Sequence, residues 1–351
     1  MITCYVPFVV NNPYALNVRR LLNERGMETL PIKKVMANPA LFVKCKVFNF
    51  NWFEKVDTKK EYYFKCALLA ALKLCGKKVI YTLHNKQPHD ANSDDLSLKM
   101  MSVLAKKSDI ILGMCPETVE VVNKIAPNCV VKLRHVLHPN YIYNYPTTKL
   151  VHYREKFGIT DEDMVFLFLG FVSPYKNIEL LIDTFKGINN SRIKLIIAGN
   201  PCSQEYEDDL IKRIGTATNI HYDFRYIPDE EVPCYYNTCD IVILPYHKES
   251  SLNSGAVYLS FSLRKTVICP NIGTISALTD KDFVYDYDYV SEEEHPFQLK
   301  EAIERACGDF ERDNKLIRSK GEAAYEYVKK VHSDKKIADM YEEIYMNLIN
   351  H

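Results

Sequence analysis

Six apolar residues in a row at 164–169, MVFLFL, stop at Gly170, and beyond Pro174 the apolar positions respace to Ile178, Leu181, Ile182 and Phe185. An unbroken apolar run suits a strand covered on both faces, and the three-and-four spacing suits one face of a helix. The same alternation runs along most of the chain. In the first half it predicts strands at residues 3–10, 46–50, 78–83, 109–114 and 130–136, with helices at 14–25, 61–74, 95–106 and just after Pro116. The Pro- and Tyr-rich segment HPNYIYNYP at 138–146 reads as a linker. The second half restarts at 164, with further strands at 194–198, 219–223, 240–244, 266–268 and near Phe283, and helices from Lys176, 204–214, 229–237 and from Ser254. Beyond residue 298 the pattern is helical, at 302–306, 315–331 and 336–349. Strands alternating with helices predict an α/β protein of two doubly wound, parallel-sheet domains. Their expected bounds are 1–147, with a C-terminal helix at about 333–351 packing back on that domain, and 148–332.

A length of 351 residues agrees with two domains. Composition, 47% hydrophobic and 26% charged, is that of a globular protein. No apolar run approaches the roughly 18 to 20 residues of a membrane span, and the start, MITCYVPFVVNN, lacks the basic region of an export signal. A cytoplasmic protein is expected. Eleven cysteines without a CxxC pair fit reduced thiols better than disulfides or a zinc site. Net charge is zero, yet residues 1–150 hold 22 Lys+Arg against 11 Asp+Glu, leaving 23 against 34 for 151–351, or about +11 and −11. The basic half is the one to meet an anionic partner or membrane surface, unless the opposite charges serve each other.

Open parallel sheets bind ligands beyond the carboxyl ends of their strands. Those ends carry Asn11, Asn12, Asn51, Trp52, His84, Asn85 and Cys115 in the first half, and Ser173, Lys176, Asn200, Tyr226, Pro245, Tyr246 and Pro270 in the second. Lys176 near a helix start would hold an anion, by its charge and the free N–H groups there; alternatively it is a solvated lysine. Several chemistries are excluded by motif. There is no GxG pair, no GxxxxGK[ST], no HExxH and no GxSxG. Two DxD triplets, Asp161-Glu162-Asp163 and Asp286-Tyr287-Asp288, read as turn or strand-end residues rather than a metal clamp. Neither metal nor cofactor is expected.

Taken in order, these landmarks resemble the retaining nucleotide-sugar glycosyltransferases of the two-Rossmann GT-B architecture, specifically glycosyltransferase family 4, or group 1. Asn12-Pro13-Tyr14 resembles that family's first loop, and Tyr81-Thr82-Leu83-His84-Asn85 with Pro88-His89 its histidine-bearing loop. His138-Pro139-Asn140-Tyr141 resembles the segment entering the second domain, Leu169-Gly170 to Lys176-Asn177 the phosphate-binding turn, and Asp240 to Tyr246 the strand before the donor loop. Two departures stand out. The turn Phe171-Val172-Ser173-Pro174-Tyr175 lacks the arginine that many members place there, and Ser251 and Leu259 stand where members have two glutamates. In their place Ser250-Ser251-Leu252-Asn253-Ser254-Gly255-Ala256 resembles the Ser-Gly variant of the donor loop, although Asn253-Ser254 also reads as plain helix capping.

The resemblance implies two domains facing across a cleft, with a UDP- or GDP-sugar as donor and a glycan or lipid-linked acceptor. Lys176 and His84 are then the catalytic candidates, the lysine stabilising the departing diphosphate and the histidine bonding a sugar hydroxyl. Ser173, Asn200, Tyr226, Ile227, Tyr246, Asn253, Ser254, Gly255 and Ala256 are the donor-binding candidates, and Asn12, Tyr14, Asn85 and His89 the acceptor or sugar candidates. The Lys- and Tyr-rich helix within 59–78 suits peripheral contact with the inner face of a membrane, or ordinary packing on its sheet. No nucleic-acid partner is expected. A non-catalytic protein of the same fold, binding a sugar nucleotide or partnering another transferase, is the other reading.

Overall fold

Two six-stranded sheets, parallel throughout, organise the chain in this computed structural model, which describes residues 1–9, 11–87, 94–146 and 151–350. The first sheet is built from β1 (Ile2–Val6), α1 (Pro13–Glu24), β2 (Glu28–Leu30), α2 (Ile32–Ala37), α3 (Pro39–Lys44), β3 (Cys45–Asn51), α4 (Lys59–Leu74), β4 (Lys78–Thr82), α5 (Asp94–Lys107), β5 (Ile110–Gly113), α6 (Thr118–Ile125) and β6 (Leu133–His135). Its strand order is β2-β1-β3-β4-β5-β6. The second follows with α7 (Tyr153–Lys156), β7 (Met164–Leu169), α8 (Ile178–Lys186), β8 (Ile193–Ala198), α9 (Gln204–Ile214), β9 (Ile220–Asp223) and α10 (Val232–Thr238). It continues with β10 (Ile241–Ile243), α11 (Gly255–Ser262), β11 (Thr266–Pro270), α12 (Gly273–Ser276), β12 (Tyr285–Tyr287), α13 (His295–Arg312) and α14 (Asn314–Val331). The order here, β12-β11-β10-β7-β8-β9, is that of the doubly wound dinucleotide-binding sheets.

Contacts divide the chain into one unit of Met1–Pro139, Glu249–Asn253 and His332–His351, and another of Asn140–Lys248 and Ser254–Val331. Of the three C-terminal helices, only α15 (Asp334–Asn350) joins the first unit. Its apolar stripe, Ile337, Ala338, Tyr341, Tyr345 and Leu348, is buried with Val18, Leu21 and Leu22 of α1. Arg25 reaches Glu342 at 3.0 Å, and Arg20 reaches Asp334 at 2.6 Å.

Several elements differ from the expectation. The first strand ends at Val6 because proline follows, and the region 26–45 holds β2, α2 and α3, which the periodicity did not reveal. The run expected as a strand at 130–136 is mostly a 3₁₀ turn, Pro127–Lys132, before the three residues of β6. Helix α4 buries only Leu69 and Leu72, leaving Tyr63, Phe64 and Leu74 exposed. Among the described residues no helix is long and apolar enough to cross a membrane.

The carboxyl ends of β7 and β8 meet at two glycines. Gly199 has φ +140°, and a Cβ there would stand 1.8 Å from the carbonyl oxygen of Gly170. Gly199→Ala is therefore expected to cost at least ~2 kcal/mol, from a strained φ and a displaced backbone. Denaturant unfolding measures it, and an unchanged midpoint would show that the strands have room to part.

Candidate functional site

In the second sheet the winding reverses at β7, which lies between β8 and β10. Ligands of such sheets bind at this switch point, so the segments leaving β7 and β10 hold the leading candidates. After β7 the chain makes a 3₁₀ turn, Pro174–Lys176, and Asn177 takes a left-handed conformation (φ 60°) before α8 begins. This turn, rather than the helix itself, carries Lys176. Its ammonium stands 4.2 Å from the ring centre of Tyr246 and 4.7 Å from that of Tyr175. Tyr246 is buried, which pushes its phenol far up and keeps it neutral beneath the lysine.

Tyr246 also touches the start of α11. The Ser254 hydroxyl donates to the Tyr246 phenol oxygen at 3.3 Å and caps the helix by accepting from the Val257 N–H at 3.4 Å, while the Ser254 N–H donates to Thr274 Oγ1 at 2.8 Å. Capping thus occupies Ser254. The backbone N–H groups of half-buried Gly255 and Ala256 make no hydrogen bond to the described residues and are the donors this helix start can offer. Ser173, 1% exposed, holds its hydroxyl without a partner at the head of the lysine turn.

The remaining donor candidates are more dispersed. Asn200 is exposed and donates to the Pro201 carbonyl at 3.1 Å. Arg225 is tied to Asp223 at 3.0 Å and to Glu231 at 2.5 Å, which fixes a loop that buries Ile227 and leaves Tyr226 66% exposed. Asn253 is grouped with the first unit, where its side chain donates to the His84 carbonyl at 3.0 Å. A cavity of about 580 Å³ lined by Asp161, Arg192 and Phe310 opens at the opposite, amino-terminal edge of the sheet, away from these residues.

In the first unit His84 lies just past β4, buried, with its Nε2 3.1 Å from Asn51 Oδ1. Asn51 donates its own amide to the Val6 carbonyl and to Asn49 Oδ1, so its oxygen is an acceptor and His84 Nε2 carries the proton. Nδ1 is left as an acceptor. Asn49 in turn takes a hydrogen bond from Thr82 at 3.1 Å and gives one to Tyr345 of α15 at 2.9 Å, a buried polar chain running through the sheet. Burial, with His138 nearby, pushes the His84 imidazole down to about 3. The ring is neutral at pH 7 and too weak a base to carry a proton in catalysis.

Trp52 stacks on His84 at 4.1 Å, and Tyr14 meets both rings edge-on. Trp52 has φ +49°, which costs a bulky residue about 1–3 kcal/mol and marks a place held by its surroundings. Tyr14 is buried and bonded to Tyr341 at 3.2 Å, and Asn12 caps α1 by accepting from the Ala15 N–H, so both act first as structure. Asn85 is half-buried beside His84, while His89 lies outside the described residues. Asn51 and Trp52 are the residues that sequence reasoning underweighted. Their signal was an alternating N-x-N in an otherwise apolar strand.

Comparison with known proteins fits this arrangement. Residues 152–322 match the family described as Glycosyl transferases group 1. A GDP-mannose:glycolipid 4-beta-D-mannosyltransferase of Xanthomonas campestris pv. campestris is 23% identical over 255 residues, 69% of this chain but only 66% of that relative. A lipopolysaccharide 1,2-N-acetylglucosaminetransferase of Salmonella typhimurium is 29% identical over 170 residues, covering 45% and 43%. Sucrose-phosphate synthase of Thermosynechococcus elongatus superposes with a TM-score of 0.72 at 14% identity, covering 99% of both chains. Anabaena Alr3699/HepE in complex with UDP and glucose gives 0.70 at 14% identity, covering 98% of this chain and 99% of its own. Two parallel-sheet Rossmann-like units in one chain thus have the GT-B fold, and residues 152–322 carry the match to the group 1 glycosyl transferases.

Proposed function

We propose that the chain is a retaining glycosyltransferase that moves a hexose-type sugar from a UDP- or GDP-sugar to a glycan or lipid-linked acceptor, in polysaccharide or glycolipid biosynthesis. One observation carries the reading: at the switch point Tyr246 joins the Lys176 ammonium to the start of α11, where Gly255 and Ala256 offer N–H donors. A cation and a helix start converging on one place suit a diphosphate. The unpartnered Ser173 hydroxyl supports the same placement, and the exposed Tyr226 ring suits stacking on a nucleobase.

Sugar-nucleotide cleavage puts growing negative charge on the leaving diphosphate. Lys176 and the α11 N–H groups would stabilise it. His84 Nδ1 offers an acceptor to a sugar hydroxyl. Its weak basicity favours a route in which the leaving phosphate, not a side chain, takes the acceptor's proton. The mannosyltransferase relative makes a β bond according to its name, so product anomeric configuration, read by NMR, decides between retention and inversion. Names of relatives and neighbours also support a sugar nucleotide and a glycolipid-type acceptor. Exposed Tyr63 and Phe64 beside Lys59 and Lys60 on α4 suit peripheral contact with an anionic membrane from the cytoplasmic side.

The missing turn arginine and glutamates favour a second reading, a non-catalytic sugar-nucleotide-binding protein. Nucleoside diphosphate release in the presence of each UDP- or GDP-sugar, with glycolipid extract as acceptor, separates the two. Release supports the transferase. Thermal stabilisation by UDP or GDP, roughly 5 °C or more at a hundredfold excess over Kd, without release supports the binding protein, and neither response overturns both.

A further inference from the structure

His247, Glu292 and His295 meet at the same carboxyl edge of the second sheet, on the segments that follow β10 and β12. We propose that they bind a divalent transition-metal cation, zinc by preference. Glu292 Oε2 lies 3.1 Å from His247 Nδ1 and 3.8 Å from His295 Nδ1, and the three ligand atoms fall within 4.8 Å of one another. Two atoms bonded to one tetrahedral zinc at 2.0–2.1 Å stand about 3.4 Å apart, and the two distances bracket that value. The shorter one is also a hydrogen bond from His247 to the Glu292 carboxylate, and His295 pairs with the same carboxylate, so a bound cation would replace these two contacts.

His295 is held as metal-bound imidazoles are held. It is fully buried, stacked on Tyr289 at 4.0 Å, with its far nitrogen Nε2 2.9 Å from the Tyr287 hydroxyl. A proton on Nε2, donated to Tyr287, turns the Nδ1 lone pair toward the cluster. Another competing partner of Nδ1 is the Asn177 amide, at a long 3.4 Å. Two imidazole nitrogens and one carboxylate oxygen favour zinc or cobalt over magnesium or calcium. His247 and Glu292 remain partly open to solvent, which leaves room for entry and for a fourth ligand.

The position has a consequence that rests on the proposed function. Asn177 follows Lys176 in the chain and His247 follows Tyr246, so a cation here stands beside the turn assigned to the diphosphate and adds positive charge where that turn has a single lysine.

Cobalt titration of the full chain tests the site directly. The expected result is visible d–d absorption of tetrahedral cobalt, displaced by zinc, with binding weakened at least tenfold in His247→Ala and in Glu292→Gln. Both side chains are partly exposed, and unchanged melting of each variant without metal shows that the fold is kept. Thiolate charge-transfer bands, or binding unchanged in both variants, overturn the site. Adding UDP is expected to shift the cobalt bands, and unshifted bands overturn the placement beside the diphosphate. These readouts do not use turnover, so failure of sugar transfer would remove the proposed function and leave the metal site standing.

Discussion

Alanine at position 176 is expected to lower kcat for donor cleavage at least tenfold, ~1.4 kcal/mol in the barrier, with a smaller change in KM. The asymmetry follows from when the charge appears. A diphosphate bound as an ester shares part of its charge with the sugar, and the departing group keeps all of it, so a cation placed there gains most in the transition state. Lys176 is the only cation in the turn 170–177, and its ammonium is positioned by the faces of Tyr175 and Tyr246. Lys176→Met separates charge from packing, since it retains an unbranched chain of similar reach between the two rings. Both variants should slow turnover while melting stays near that of the parent. Turnover near the parental value in either variant removes Lys176 from the chemistry.

Much of this architecture was legible because covered strands announce themselves. The run MVFLFL is β7 because both faces of a parallel sheet need apolar side chains, and Ile178, Leu181, Ile182 and Phe185 are the buried face of α8. Where elements are short, periodicity has too few positions to act on. Helices α2 and α3 have six residues each, little more than a turn and a half. The run at 130–136 misled because β-branched residues suit a strand, while Pro127 starts a 3₁₀ turn that carries the same valines.

The site divides along the same line. That Lys176 and Ser254 flank helix starts could be read locally, from proline, small residues and a change of period. That Ser254 spends its hydroxyl on a cap and on Tyr246, leaving the N–H groups of Gly255 and Ala256, depends on which strands are neighbours. So does the approach of His247 and His295, separated by 48 positions in sequence (295 − 247) and brought together by strand order. The link from Tyr345 through Asn49 and Asn51 to His84 depends on α15 joining the first sheet, which no local pattern encodes.

Acid is expected to unfold the first unit well before carboxylate protonation becomes general. Burial is the largest cause that pushes His84 and His138 down to about 3 and His332 to about 4. His138 acts on His84, His332 on His138, and Lys336 and His135 on His332, all in the same direction; hydrogen bonds to the Pro139 and His138 carbonyls oppose it only in part. Unfolded, each ring titrates near 6.5. Their contribution to stability is therefore complete above pH ~6.5 and is lost as pH falls toward the folded values, because the unfolded chain takes up protons that the fold excludes. Each ring can contribute a slope of ~1.4 kcal/mol per pH unit in that window. Buried Glu54, raised to about 7 by burial, takes up its proton in the fold over the same range and offsets about one of them, leaving a net slope of up to ~3 kcal/mol per pH unit. The loss should be visible already between pH 6.5 and 5, where free carboxylates, titrating near 4, are still mostly ionised. Trp52, the single tryptophan, is stacked on His84 and reports this unit alone by its fluorescence. Denaturant unfolding followed at Trp52 should lose stability steeply over that range, and His332→Gln should flatten the slope by about one proton's worth. A midpoint that stays constant from pH 7 to 5 would mean that the buried rings take up their protons without unfolding, and the neutral His84 assigned to the sugar-binding role would go with it.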